Sequence, residues 1–304
     1  MDNIAELMAR LGDSDPKIRK DAAYALVRAA RQGQGISAAI PALDKALSDG
    51  NTIVRRRAAR ALMDAAQRGA DISIAITALA GALSDKDTGV RDNATAALGD
   101  AALNKKSHDA ALSELAKALS DAHINVRSNA AQVLQTVALE GADITIAISA
   151  LANTLSDKDE SIRLHAAGAL GWAAEHRADI TVAMPALAKA LSDPDADVRG
   201  RAAWALKRVI KNLQVVIRNS DSIEQLDKTE SRFREQYGAL RTRCRYGKEG
   251  ELERIGLVFS KLMNETAKRR DELAANRDIM LDGKPRPPKG SGIYQEMRRA
   301  IKNG

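Results

Sequence analysis

An all-α fold built from stacked helix pairs is what three features of the amino-acid sequence predict. One phrase recurs at a constant period, aromatic residues are scarce, and alanine and leucine dominate the apolar positions. The phrase LSDKDTGVR returns as LGDSDPKIR, LSDGNTIVR, LSDAHINVR, LSDKDESIR and LSDPDADVR, and its final arginines (Arg19, Arg55, Arg91, Arg127, Arg163 and Arg199) stand 36 residues apart. A fixed period of this length marks a solenoid in which each unit stacks on its neighbours. An aromatic content of 3% against 45% hydrophobic content favours close-packed helices over sheets.

Each unit reads as two helices. The first is typified by DITIAISALANTL (143–155), with Asp71, Ser107, Asp143 and Asp179 recurring where an N-cap accepts a backbone N–H. The Ser-Asp turn that follows stops this helix, and its acidic residues suit the positive end of the next. The second helix is typified by ESIRLHAAGALGWAAE (160–175). In its first copy Ile18, Ala22, Ala23, Ala25, Leu26, Ala29 and Ala30 recur as small or aliphatic residues and define a packing face. Lys20, Asp21, Tyr24, Val27, Arg28 and Arg31 vary between copies and define a free face of roughly a third of the circumference.

The pattern over residues 1–212 resembles the HEAT repeat family, particularly the short HEAT-like repeats of the phycobilisome-lyase type. The resemblance implies a right-handed α-solenoid of six 36-residue helix pairs, with the second helices lining its concave side. It also implies a ladder of the turn aspartates Asp49, Asp85, Asp121, Asp157 and Asp193 with Arg55, Arg91, Arg127, Arg163 and Arg199. Pro41 and Pro185 match the family's first-helix proline, which Thr77, Ser113 and Ser149 replace elsewhere.

On a concave second-helix surface the free face becomes continuous. Its candidate partner-binding residues are Tyr24, Arg28, Arg56, Arg57, Arg60, Gln132, His165, Trp172, Arg201, Trp204 and Arg208. Asp64 joins the arginines of the second repeat on this free face, and Asp92, Asn93 and Asp100 of the third begin a neutral or acidic middle between basic ends. Tryptophan beside arginine is the composition of an interaction hot spot.

The net charge of +7 resides entirely after residue 210, where 21 basic face 14 acidic groups, because residues 1–210 balance at 26 of each. Ser220 and Asp221 read as a cap for a helix with Ile223, Leu226, Phe233, Tyr237, Leu240 and Cys244 on one seam. After YGKEG, a second helix carries Leu252, Ile255, Phe259, Leu262, Thr266, Leu273 and Met280. The expected organisation is therefore a solenoid over 1–212, a basic helical hairpin over 213–282 acting as a cap, and a Pro/Gly linker with a short terminal helix over 283–304. Arg241, Arg243, Arg245, Lys268, Arg269 and Arg270 are the candidate nucleic-acid contacts.

No glycine-rich phosphate loop, HExxH or spaced Cys/His motif is present, and His108, His123, His165 and His176 form no paired ligand set. Catalytic residues, cofactors and metals are accordingly not expected. HEAT-like deoxyhypusine hydroxylases carry repeated His-Glu pairs that this sequence lacks. Phycobilin lyases share the repeat type, and HEAT-like DNA glycosylases use tryptophan, aspartate and arginine, for which Trp172, Trp204, Asp100 and Arg208 are counterparts in composition. One cysteine, a polar N-terminus and no 18-residue apolar run read as a cytoplasmic protein without a membrane span. The expected function is a non-catalytic protein–protein interaction scaffold. The alternatives are a nucleic-acid-binding protein using the basic C-terminal region and a glycosylase-like or lyase-like enzyme using the concave face.

Overall fold

A computed structural model of the chain describes residues 3–219, together with 224–225, 227–228, 231, 260 and 263–273. It divides into two units, residues 1–209 and 210–304. In the first unit short helices alternate with long ones: α1 (Ile4–Leu11), α2 (Pro16–Arg31), α3 (Ile40–Ala46), α4 (Thr52–Gln67), α5 (Ile76–Ala82), α6 (Thr88–Leu103), α7 (His108–Ala118), α8 (Ile124–Leu139), α9 (Ile148–Thr154), α10 (Glu160–Glu175), α11 (Met184–Ala190) and α12 (Ala196–Asn219). These are six helix pairs of an α-solenoid, and the second helices from α2 to α10 pack in succession.

The first helices are not single α-helices over the span the sequence suggests. In four repeats a 3-10 turn precedes the helix, as at Thr145–Ala147 before α9. Asp143 sets it by accepting from the Thr145 backbone N–H at 2.9 Å and from its hydroxyl at 2.5 Å, and Asp71 and Asp179 serve Ser73 and Thr181 in the same way. The tighter turn buries both Ile144 and Ala147. Pro41 and Pro185 fall in the first turn of α3 and α11, where a missing N–H costs nothing. Ser107 does not cap its own helix as expected. Fully buried, it accepts from the Ile72 N–H and donates to Asp71 of the preceding repeat, because α7 starts directly as an α-helix.

Five of the six second helices begin at side-chain caps, α8 at His123 being the exception. Asp15, Asn51, Asp87, Asp159 and Asp195 accept from the N–H of Lys17, Ile53, Val90, Ile162 and Val198 at 2.8–3.1 Å. Their apolar stripe forms the core. Ala22, Ala58, Ala94, Ala130, Ala166 and Ala202 are all fully buried, and this small column lets successive helices approach closely. Leu26, Leu62, Leu98, Leu134 and Leu170 fill the column beside it, likewise with no exposed surface. Two positions assigned to the free face belong to the core instead. Val27 and Asp64 are buried, the second beneath two arginines.

The arginine at the start of each second helix joins neighbouring repeats. Arg19 reaches Asp49 through Nε at 2.6 Å and Nη2 at 3.0 Å, and the same fork links Arg55 to Asp85, Arg127 to Asp157 and Arg163 to Asp193. Each partner lies 30 residues on, in the following repeat. The remaining Nη1 donates to a carbonyl of its own turn, as Arg55 does to Asp49 at 2.9 Å. The aspartate closes its own turn as well, Asp85 accepting from the Asp87 N–H at 2.9 Å. The Arg55 guanidinium holds the Asp85 carboxyl below its ordinary value against a burial that pushes the other way.

One rung is missing. Arg91 donates to the Asp85 and Lys86 carbonyls and to Thr88 Oγ1, and makes no bond to Asp121. Here too α6 packs less extensively on α8 than α4 does on α6 or α8 on α10. Loop conformation changes at the same place. Gly33, Gly69, Gly141 and Arg177 follow α2, α4, α8 and α10 at positive φ, whereas Asn104 after α6 is extended.

In the second unit α12 continues to Asn219 and residues 263–273 are helical. Thr266 is buried on that segment. The expected cap at Ser220 and Asp221, the seam residues Ile223, Leu226, Phe233, Tyr237, Leu240, Cys244, Leu252, Ile255, Phe259, Leu262 and Met280, and the linker and terminal helix over 283–304 lie outside the described residues.

Two expectations follow from this packing. Asp85→Ala should cost about 2 kcal/mol in urea unfolding, since it strands a mostly buried guanidinium, while Asp121→Ala should cost under about 1 kcal/mol. The carboxyl of Asp85 is depressed when folded, so its contribution is complete above the ordinary value of 3.8 and is lost as pH falls below it. Leu98→Asp or Leu134→Asp should unfold the central repeats, while Gln132→Ala, on the exposed face, should leave the melting temperature nearly unchanged.

Candidate protein-binding surface

Residues 36 apart on the second helices form columns, and the exposed columns carry the candidate site. At the N-terminal end Tyr24 is 55% exposed, with the Arg57 guanidinium 5.0 Å from its ring centroid. Arg57 also donates to the Lys20 carbonyl at 2.7 Å. Arg56 forks onto Asp87 at 2.9 and 2.5 Å, and Arg60 and Arg31 converge on Asp64 at 3.2 Å each. Arg28 is exposed on α2. The row of arginines read as partner contacts is thus largely engaged within the molecule, because the acidic residues between them sit one turn or one repeat away.

The middle of the surface is uncharged or acidic. Gln132 and Thr136 are exposed on α8. Asp100 is half-buried, its Oδ2 unpaired, and burial raises its carboxyl above the ordinary value while Gln67 opposes the shift. Asp100 does not line the groove that holds the tryptophans. His165 is half-buried on α10, and burial lowers its tendency to protonate.

Trp172 and Trp204 meet at the C-terminal end, edge to face, with ring centroids 4.9 Å apart and planes at 73°. Trp204 projects from α12 back onto α10, where Gly171 makes room for it. A Cβ on Gly171 would stand 2.0 Å from the indole ring. The two rings, with Leu164, Ala196, Gly200 and the charged side chains Glu175, Asp197, Arg201 and Arg208, line an open groove of about 750 Å³. Arg208 closes onto the Glu175 carboxylate as an ion pair, and the Arg201 guanidinium lies 5.9 Å from the Trp204 ring centroid. Both tryptophans are half-buried, so each keeps an accessible face.

Trp172, Trp204, Arg201 and Arg208 therefore come together, while at the other end Tyr24 meets Arg57, and Arg56 and Arg60 pair separately with Asp87 and Asp64. Sequence reasoning missed Gly171, Leu164 and Gly200. The signal was available for the first, since a glycine replaces the Val27 and Met63 of its column immediately before a tryptophan. Of the candidate nucleic-acid contacts, Arg241, Arg243 and Arg245 lie outside the described residues. Lys268, Arg269 and Arg270 stand on the 263–273 helix, with Arg269 3.1 Å from Glu272 and Arg270 2.5 Å from Asp227.

Among the described residues no group of three or more His, Cys, Asp or Glu could hold a metal ion, and no helix is long and apolar enough to cross a membrane. A family model for HEAT repeats matches residues 4–99, 112–207 and 148–228. The chain belongs to the HEAT repeat family. Its solved structural neighbours include designed helical-repeat proteins. A designed armadillo repeat protein in complex with the peptide (KR)4 is 23% identical with a TM-score of 0.50, covering 68% of this chain and 100% of its own. A second designed armadillo repeat protein is 25% identical with a TM-score of 0.47, over 68% and 100% of the two chains. An engineered protein covers 100% of this HEAT-repeat chain and 89% of its own at 21% identity and a TM-score of 0.45. No curated protein matches the sequence.

The glycine beside the tryptophan pair gives a direct check. Gly171→Ala should drive the Trp204 indole off α10, at a cost of about 1–3 kcal/mol. Tryptophan emission should shift to the red, and the melting temperature should fall while far-ultraviolet circular dichroism stays helical.

Proposed function

We propose that this HEAT-repeat chain is a non-catalytic scaffold that binds a protein partner on its second-helix surface, which would be the concave side of the stack. The observation that carries this reading is the groove between α10 and α12, where the chain's two tryptophans lie half-exposed beside Arg201 and Arg208. Half-buried aromatic rings held rigid by a glycine contact, with arginines at the rim, are the anchors that dominate protein interfaces. A designed armadillo repeat protein of the same fold has been solved with a bound peptide. The Tyr24 and Arg57 pair at the far end offers a second, smaller anchor on the same surface.

Binding would proceed by recognition of a largely preformed surface. Arginines already fixed by Asp64, Asp87 and Glu175 lose little freedom when a partner docks. Trp204→Ala combined with Arg208→Ala should reduce capture of the partner from nuclease-treated cell extract by about tenfold or more, with helical circular dichroism retained. Undiminished capture by the double variant would place the interface elsewhere.

A further inference from the structure

We propose that the groove between α10 and α12 takes an acidic peptide segment, seating one apolar side chain against Trp172 and Trp204 and one carboxylate on Arg201. This rests on the protein-binding reading above and specifies its ligand.

The groove is apolar at its base, where the two indoles meet and Leu164 adjoins them. It is open along α12, because Gly200 has nothing within 4 Å of where a Cβ would stand. A volume of about 750 Å³ accommodates a few side chains and not a folded domain.

The four charged side chains at the rim sum to zero, but only two of them are paired with each other. Arg208 is neutralised by Glu175. Asp197 lies in the first turn of α12, where it complements the positive helix end. Arg201 is different from its counterparts in the same column. Arg57 and Asn93 donate to carbonyls of the preceding second helix, Lys20 at 2.7 Å and Arg56 at 3.2 Å. Arg201 makes no hydrogen bond or ion pair with any described residue, and its guanidinium lies over the Trp204 ring instead. Lys207, exposed on the same helix, also lacks a described partner. A guanidinium above an aromatic face keeps its in-plane N–H groups for a carboxylate.

The surface favours a short acidic segment over a polyanion. Down the stack from this groove the exposed second-helix positions carry Gln132 and Thr136, and Arg56 and Arg60 are paired with Asp87 and Asp64. No row of free cations continues for a phosphate backbone to follow.

Both tryptophans of the chain line the groove, so intrinsic emission reports on its occupancy. The full chain is titrated with the capped, tryptophan-free peptide Asp-Glu-Leu-Phe-Asp-Glu, with Lys-Lys-Leu-Phe-Lys-Lys, and with decathymidylate. A saturable emission change is expected with the acidic peptide, at an affinity about tenfold above that of the lysine peptide, and Arg201→Gln should weaken it by about tenfold with the variant's own emission intact. An equal or stronger response to the lysine peptide, indifference to Arg201→Gln, or a response to the oligonucleotide alone would overturn the assignment. If the acidic peptide leaves emission unchanged while Trp204→Ala with Arg208→Ala still abolishes partner capture, the acidic specificity fails and the protein-binding surface stands. If capture is also unaffected, the broader reading fails with it.

Discussion

The fork from an arginine to the aspartate of the next repeat is the interaction on which the geometry of the stack depends. One guanidinium fastens its own turn through a carbonyl and the following turn through a carboxylate, as Arg163 does with Asp157 and Asp193. That carboxylate closes its own turn in the same geometry, so the spacing between repeats and the shape of each turn are set by one group of atoms. The side chains of Arg163 and Asp193 are only 11% and 7% exposed, which limits screening by salt. Hydrophobic stacking supplies the driving force, but leucine and alanine are tolerant of sliding. The bidentate fork is directional, and it selects one register.

Where that fork is absent, other regularities lapse with it. Between α6 and α8 the rung from Arg91 is lost, the 3-10 turn before α7 disappears, and Asn104 replaces the positive-φ residue. His108, standing where other repeats have an isoleucine, contacts the carbonyls of Ala102 and Asp143. Thr95 Oγ1 and Asp100 Oδ2, both on α6, are buried without partners. Polar links and unpaired polar atoms replace apolar packing here, so the centre of the stack is held differently from its two halves.

The candidate surface shows where a repeat fold leaves room for variation. Columns that no repeat needs for packing are free to differ, and at one end they assemble two indoles, a glycine and two arginines into a groove. Elsewhere the same freedom is used for internal pairing. Arg56, Arg57 and Arg60 look like a basic patch when read in line, yet each is bound to a carboxylate or carbonyl of the chain.

The fold was legible because packing in a solenoid is local and periodic. A column such as Ala22, Ala58 and Ala94 announces its burial by repetition alone, and so does Leu26 with Leu62 and Leu98. Sequence by itself determined the number of repeats, the two helices in each, most of the core face and, through family resemblance, the aspartates and arginines of the ladder. Tertiary structure decided which aspartate each arginine reaches, that Arg91 reaches none, that Val27 and Asp64 are buried, and that Trp172 meets Trp204 over Gly171. The physical reason is distance. Periodicity reports which face of a helix is covered, whereas pairing between side chains of neighbouring repeats depends on separations of a few ångströms that arise only once the helices have stacked.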